Sequence, residues 1–247
     1  MQPDVTLVIT SCDRPALLER TLKSITSHDL NAIERFIVIE DSPNPDIADL
    51  VKRRLGDTPY LFLQNPKNLG QIASIDRAYA EVTTPYIYHC EDDWLFPSSL
   101  FIEESRRILE ARPDIHAVML RDRNEAHKFE KKNTILGCVA GIPVRLADPR
   151  GHRRWGGFSF NPGLRRTADY TKYAPYGRIG PEAQISSHYK RCGFRMAYLE
   201  AGDVRHIGDG HKTFKTDETR HKRKISYLVE SMRNRVSFAW SKRFGPD

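Results

Sequence analysis

The stretch PYIYHCEDDWLFP, Pro85–Pro97, decides how the rest of the chain is read. A β-prone apolar run through Tyr86, Ile87 and Tyr88 ends in three consecutive carboxylates, Glu91, Asp92 and Asp93, followed by Trp94. A short run of this kind reads as a buried strand. Adjacent carboxylates at the end of such a strand repel one another and destabilise the fold unless a cation compensates. A hard divalent ion is one solution, because magnesium and manganese sites use one or two protein carboxylates and fill the shell with phosphate oxygens and water. The cluster would then hold a metal-bound diphosphate. The other solution is local: Glu91 and Asp92 cap the helix suggested by PSSLFIEESRRILE, or pair with nearby arginines. The stretch alone leaves both open.

Outward from it, the runs VTLVIT (Val5 to Thr10), RFIVIED (Arg35 to Asp41), PYLFLQN (Pro59 to Asn65), PYIYHCED (Pro85 to Asp92) and IHAVMLRD (Ile115 to Asp122) read as further buried strands. Between them lie helical spacings: Leu17, Leu18, Thr21, Leu22 and Ile25 after Pro15, which suits a first helical turn, then Ile72, Ile75, Ala78 and Tyr79, then Leu100, Ile108 and Leu109. Alternating strand and helix imply an α/β fold, a single domain with a mostly parallel central sheet covered by helices and ligands at the strands' carboxyl ends. Asp41 and the Glu91–Asp93 cluster fall at such ends. From about residue 124 the pattern degrades: RNEAHKFEKKN is a polar loop or exposed helix, and ADPRGHRRWGGFSFNPGLRR has no clear period. The C-terminal run places Ile225, Leu228, Met232, Val236 and Trp240 on one helical face among basic residues.

Composition narrows the class. The chain has 247 residues and a formal net charge of +7, which favours an anionic ligand or surface. Cys12, Cys90, Cys138 and Cys192 form no CxxC pair, so neither a zinc site nor a disulfide framework is expected, and buried free thiols are. No apolar segment approaches the roughly 18 to 20 residues of a membrane span, and Met1 precedes a strand-like run closely, so the expectation is a soluble, cytoplasmic protein.

Four motifs then occur in order: Thr10, Ser11, Cys12, Asp13, Arg14 and Pro15 after the first strand; the acidic pair Glu40 and Asp41; Asn68 and Gly70 at a helix entry; and Glu91, Asp92 and Asp93. In that order, over about the first hundred residues, the chain resembles the nucleotide-sugar-binding half of family 2 glycosyltransferases with the GT-A fold. The resemblance implies that Ser11, Cys12, Asp13 and Arg14 line a nucleotide pocket and that Asp41 accepts a hydrogen bond from the base or ribose. It further implies that Asn68, Gly70 and Gln71 contact the donor and that Asp92 faces its ribose or sugar. Asp93, with Glu91 beside it, would bind Mn2+ or Mg2+ bridging the diphosphate of a UDP- or GDP-sugar. The first member of the acidic motif is Glu91 and its tail is Trp94, departures that point to different sugar packing. The resemblance also implies a catalytic base at the start of a helix. GRIGPEAQISSHYKRCGF offers Glu182 for this, with Asp169 in reserve; the alternative is an ordinary first-turn glutamate beside Pro181. In DVRHIGDGHK the resemblance selects His206 as an extra metal or pyrophosphate ligand, with His211 and Lys212 as alternatives and a plain surface or core histidine as the bland reading. On this basis residues 1–123 form the nucleotide-sugar-binding half, 124–215 the acceptor-binding and catalytic half of the same domain, and 216–247 a basic amphipathic helix.

The activity implied is metal-dependent, inverting transfer of a sugar to an acceptor hydroxyl. The segment RGHRRWGGFSFNPGLRR interleaves Arg153, Arg154, Arg165 and Arg166 with Trp155, Phe158 and Phe160. Arginines hold phosphates and aromatics stack on sugars or bases, which suits an anionic acceptor: DNA with a hydroxymethylated base, a phosphorylated glycan, or a lipid-linked glycan reached by peripheral membrane contact. Alternatively the arginines pair locally and the aromatics close the donor pocket. Two rival classes remain. A nucleotidyltransferase of similar fold would want a glycine-rich triphosphate loop, which SCDRPALL lacks, and a non-catalytic nucleic-acid or glycan-binding module would need neither the carboxylate cluster nor Glu182.

Overall fold

Every residue of the strand Val5–Ser11 (β1) is buried, so VTLVITS carries no polar alternation and must be covered on both faces. The computed structural model describes residues 2–208 and shows how the cover is built. Helix Pro15–Ile25 (α1) begins on its proline, whose missing N–H costs nothing in a first turn, and buries Leu17, Leu18, Thr21, Leu22 and Ile25. Strand Ile33–Glu40 (β2), helix Asp46–Leu55 (α2), strand Tyr60–Gln64 (β3), helix Gln71–Tyr79 (α3) and strand Tyr86–Glu91 (β4) follow. Alternate residues of β1 enter different cores. Leu7 and Ile9 pack with Leu18, Leu22, Val38 and Tyr88, whereas Val8 packs with Ile37, Ile39, Ile75 and Ile87. Each fully buried aliphatic side chain contributes about 2 kcal/mol, so the strand is pinned from both sides.

The second half supplies strand Trp94–Leu95 (β5), helix Ile102–Ala111 (α4), strand Ile115–Met119 (β6), helix Lys128–Lys132 (α5), strands Thr134–Val139 (β7), Ile142–Ala147 (β8) and Gly163–Arg166 (β9), helices Thr167–Thr171 (α6) and Glu182–Arg191 (α7), and strands Arg195–Leu199 (β10) and Arg205–His206 (β11). The nine-stranded sheet runs β3-β2-β1-β4-β9-β6-β10-β8-β7. Only β9 and β8 run against the other strands, so the sheet is mostly parallel. From β1 the chain steps to β2 and β3 on one side and returns to β4 on the other. The loops after β1 and β4 therefore diverge and leave a crevice at their carboxyl ends.

Three features differ from the sequence reading. β9 lies inside the aperiodic arginine-rich segment, wedged between β4 and β6; a Cβ on Gly163 would stand 2.2 Å from the Val118 carbonyl oxygen, so only glycine lets the strands close there. The β7–β8 hairpin turns on Ala140 and Gly141 with φ of 51° and 78°, a left-handed pair that an alanine disguises. The cysteines are not uniformly buried: Cys90 is, Cys12 is half-buried, and Cys138 on the edge strand β7 and Cys192 at the end of α7 are exposed. No helix among the described residues is long and apolar enough to cross a membrane. The expected helix over 216–247, with His211 and Lys212, lies outside the described residues.

Candidate active site

The crevice receives the Ser11–Arg14 loop from β1 and Glu91–Asp93 from β4. Asp13 takes a left-handed conformation (φ 53°), with its amide donating to Glu40 Oε1 at 2.7 Å and its carboxylate accepting from Asn44 Nδ2 at 2.8 Å. Beyond this turn Arg14 swings across the acidic cluster. Its Nε donates to Asp92 Oδ2 at 3.1 Å, its Nη2 pairs with Asp92 Oδ1, and its Nη1 lies 2.8 Å from Asp93 Oδ2. Ser11 Oγ adds a bond of 3.0 Å to Asp92. Of the two compensations the stretch left open, metal or arginine, Asp92 has the arginine. With Ser11 and Arg14 filling its acceptors, Asp92 is an internal strut of the loop rather than a group turned toward ribose or sugar. Burial pushes its carboxyl up to about 6 against the pull of Arg14. Glu91 accepts from Gln71 Nε2 at 2.7 Å and Trp94 Nε1 at 3.3 Å, and burial, then the charge of Asp93, push it up to about 8.

Asp93 differs from both. Its Oδ1 is buried and has no hydrogen-bond partner among the described residues, while Oδ2 lies 3.3 Å from His206 Nε2. The two residues meet because β11 pairs with β5, setting His206 opposite Trp94 with the rings 5.0 Å apart, and because Ile207 N donates to the Asp93 carbonyl at 2.9 Å. Among the described residues no three His, Cys, Asp or Glu side chains form a closed metal cage. A magnesium or manganese site of one or two protein groups completed by phosphate and water needs none. The orphaned Asp93 oxygen with His206 beside it fits that open kind of site.

Asp41 is engaged within the protein. Its Oδ1 accepts from Asn65 Nδ2 and Leu69 N, both at 2.7 Å, and its Oδ2 from Gly70 N at 2.8 Å, so it shapes the 65–70 turn. Asn68 belongs to the same turn, donating to Cys12 Sγ at 3.2 Å, and Gly70 caps α3 with φ 90°. The unfilled acceptor is next door: Glu40 is fully buried, with Oε1 on Asp13 N and Ser42 Oγ and Oε2 lacking a partner among the described residues. In the sequence, Glu40 is marked only by its place in the acidic pair after β2.

Glu182 opens α7 and accepts from Phe160 N at 3.2 Å. Phe160 lies just before β9, whose Gly163 pairs with His89 near the carboxyl end of β4, so Glu182 stands at the crevice end of the sheet. Its residue surface is exposed, yet protein crowds the carboxylate enough for burial to raise its pKa, and its charge reaches Glu91. Asp169, the reserve candidate, lies at the other end of the sheet. β9 runs antiparallel to β4 until Arg166 meets Tyr86, so Asp169 follows the end of β4 opposite to Glu91, and it accepts from Arg166 Nε at 2.9 Å.

The arginines divide. Arg166 is spent on Asp169 and on the carbonyls of Leu109, Pro113 and Ile115, and Arg165 is 2 % exposed beneath Phe158 and Phe160, themselves core residues. Arg165 presents no surface to an acceptor, and Arg166, 21 % exposed, is committed to these partners. Arg153, Arg154 and Trp155 remain half-exposed on the loop before β9. Beside them a cavity of about 250 Å3, lined by Phe129, His152, Trp155, Ser186 and Ser187, borders the turn of α7 that follows Glu182.

The sequence profile of "Glycosyl transferase family 2" matches residues 6–171. No curated protein shows significant sequence similarity to the chain. Among solved structures, the mannosyltransferase PcManGT from Pyrobaculum calidifontis, in complex with GDP-Man and Mn2+, superposes with a TM-score of 0.67 at 14% identity, over 100% of this chain and 66% of its own. TarS from S. aureus gives 0.60 at 14% identity, over 81% of this chain and 59% of its own. GalNAc-T7, with UDP, GalNAc and Mn2+, gives 0.58 at 10% identity, over 86% and 43%. The chain spans from less than half to about two thirds of the length of these structures. At such identities the likeness establishes the fold, a GT-A fold, and with the profile match over most of the length the chain belongs to glycosyl transferase family 2.

Proposed function

We propose that the chain transfers a sugar from a nucleotide-diphospho sugar to an acceptor hydroxyl with inversion at the anomeric carbon. The observation that carries this reading is the meeting, at one end of the sheet, of a buried unsatisfied Asp93 oxygen with His206 and of a burial-raised carboxylate, Glu182, whose field reaches the same cluster. The crevice above β1 and β4 takes the nucleotide, with half-buried Cys12 and exposed Asp13 at its surface. Solved relatives of the same fold hold GDP-Man or UDP together with Mn2+. A divalent ion held by Asp93 and His206 would neutralise the charge that develops on the departing diphosphate.

The chain's own groups do the rest. Glu182 removes the acceptor's proton as its oxygen bonds to the anomeric carbon, and the nucleoside diphosphate leaves with the pair of the broken C–O bond. Phe160 N holds the carboxylate in place during the transfer. Glu182→Gln should keep donor binding and lose about 10²- to 10⁴-fold in turnover. In the wild type kcat/KM should fall as pH drops through a value above the ordinary glutamate range, because only the ionised base accepts the proton. Near-normal turnover in the variant, or an acid limb at an unshifted glutamate value, would contradict the assignment.

The net charge of +7, with Arg154 lining the cavity and Arg153 next to it in the chain, favours an anionic acceptor such as a phosphorylated glycan, a lipid-linked glycan or DNA bearing a hydroxylated base. With Arg165 and Arg166 turned inward, the basic face is half what the sequence implied. Acceptor affinity should fall more steeply with salt than donor affinity, and Arg153→Ala with Arg154→Ala should flatten the slope. Equal salt slopes for donor and acceptor would point to a neutral glycan.

A further inference from the structure

We propose that Arg165 is a positioning residue for the Glu182 carboxylate, holding the segment that anchors it and supplying the positive field that keeps it ionised. The inference rests on the reading of Glu182 as the base. Arg165 sits in the middle of β9, paired with Ile87 of β4 and Ala117 of β6, so its backbone is clamped inside the sheet. Its side chain is 2 % exposed, and the guanidinium carbon lies 5.7 Å from the ring centroids of both Phe158 and Phe160. Nη2 donates to Ser159 O at 3.3 Å; Nε and Nη1 are buried without a hydrogen-bond partner among the described residues. No carboxylate lies within ion-pair distance of it among those residues.

A guanidinium buried without a counter-charge is costly, and such a residue is not accounted for by packing alone. Besides the Tyr176 hydroxyl, which its charge also meets, its contacts lead to one place. The rings it supports flank Ser159, whose carbonyl it holds, and the next amide, Phe160 N, is the donor to Glu182 Oε2. Glu182 is faced by Glu91 from β4, Glu130 from α5, Tyr198 from β10 and Arg165 from β9; among these only Arg165 is a cation. The same field acts on the other side, where it helps keep the buried imidazoles of His89 and His116 neutral. Arg165 thus opposes both the burial of Glu182 and the repulsion of Glu130.

The test uses the full chain with Glu side-chain carboxyls labelled with 13C, the Glu182 signal being identified by its loss in Glu182→Gln. Its titration midpoint is compared in wild type, Arg165→Met and Arg165→Lys, and nucleoside diphosphate release from GDP-mannose and UDP-N-acetylglucosamine with Mn2+ is followed over the same pH range. Arg165→Met should raise the midpoint by about one pH unit, a tenfold loss of ionised base at a given acidic pH, with the acid limb of release moving alongside. Arg165→Lys should restore most of the midpoint but not the turnover, because an ammonium keeps the charge and loses the planar contacts. An unmoved midpoint in Arg165→Met overturns the field, and wild-type turnover in Arg165→Lys overturns the positioning. Where Arg165→Met does not fold, as judged by its melt, Arg165→Lys decides: a midpoint raised as far as burial alone would carry it, or unchanged turnover, overturns the proposal. Release unchanged in Glu182→Gln instead defeats the base reading, while the titration still reports on Arg165.

Discussion

At the scale of single residues, three neighbouring acids take three different parts because their surroundings differ. Asp92 is locked to Arg14 and Ser11, Glu91 rests on two neutral donors, and Asp93 keeps one oxygen free of partners among the described residues. The sequence showed the charge and not its partition, since Arg14 lies 78 positions from Asp92. Glu91 has a consequence for stability. Its folded pKa of about 8 stands above the ordinary 4.5, so in between the folded chain binds more protons than the unfolded one. Its contribution is full below about 4.5 and is lost as pH rises toward about 8. In chelator the wild-type melting temperature should fall over that window, and Glu91→Gln should flatten the decline. A wild-type curve that rises with pH there, or one unaltered in the variant, would show Glu91 to be ionised throughout.

At the scale of elements, the strands that build the nucleotide side were legible because both faces are covered: β1, β2, β4 and β6 are apolar runs with a stop at a polar residue. Beyond residue 123 the physical signal weakens. β9 consists of Gly163, Leu164, Arg165 and Arg166, whose arginines are buried by specific partners and not by hydrophobicity, so no periodicity marks it. His206 was legible only through the family resemblance; β11, two residues long, is what brings it to Asp93. Two residues past this element, Gly208 is critical. A Cβ there would stand 2.3 Å from Asp93 Oδ2, so Gly208→Ala must displace the carboxylate or the strand. The variant should melt within a few degrees of wild type and lose at least tenfold in Mn2+-dependent donor binding, measured by calorimetry. Unchanged affinity would mean that Asp93 tolerates movement and is not the ligand.

At the scale of the molecule, the β1–β4 divergence sets the nucleotide crevice, and the return of the chain through β9 carries Phe160 and Glu182 to the same end. Half of the candidate site could be read from sequence because it follows strand ends, where motif order suffices. The acceptor half could not, because its side chains divide between crevice and core by contacts over long separations: Arg165 and Arg166, adjacent in the sequence, go to Phe158–Phe160 and to Asp169, the first buried and the second tied into an ion pair. The central claim is that Asp93 holds a divalent ion under the donor's diphosphate. Its most direct test is calorimetric titration of GDP-mannose and UDP-N-acetylglucosamine into wild type and Asp93→Asn, each with Mn2+ and with chelator. The expected result is binding of at least one donor by the wild type that is tenfold or more tighter with Mn2+, and no Mn2+ effect in Asp93→Asn. Donor binding indifferent to Mn2+ in the wild type, or an undiminished Mn2+ effect in Asp93→Asn, would contradict it.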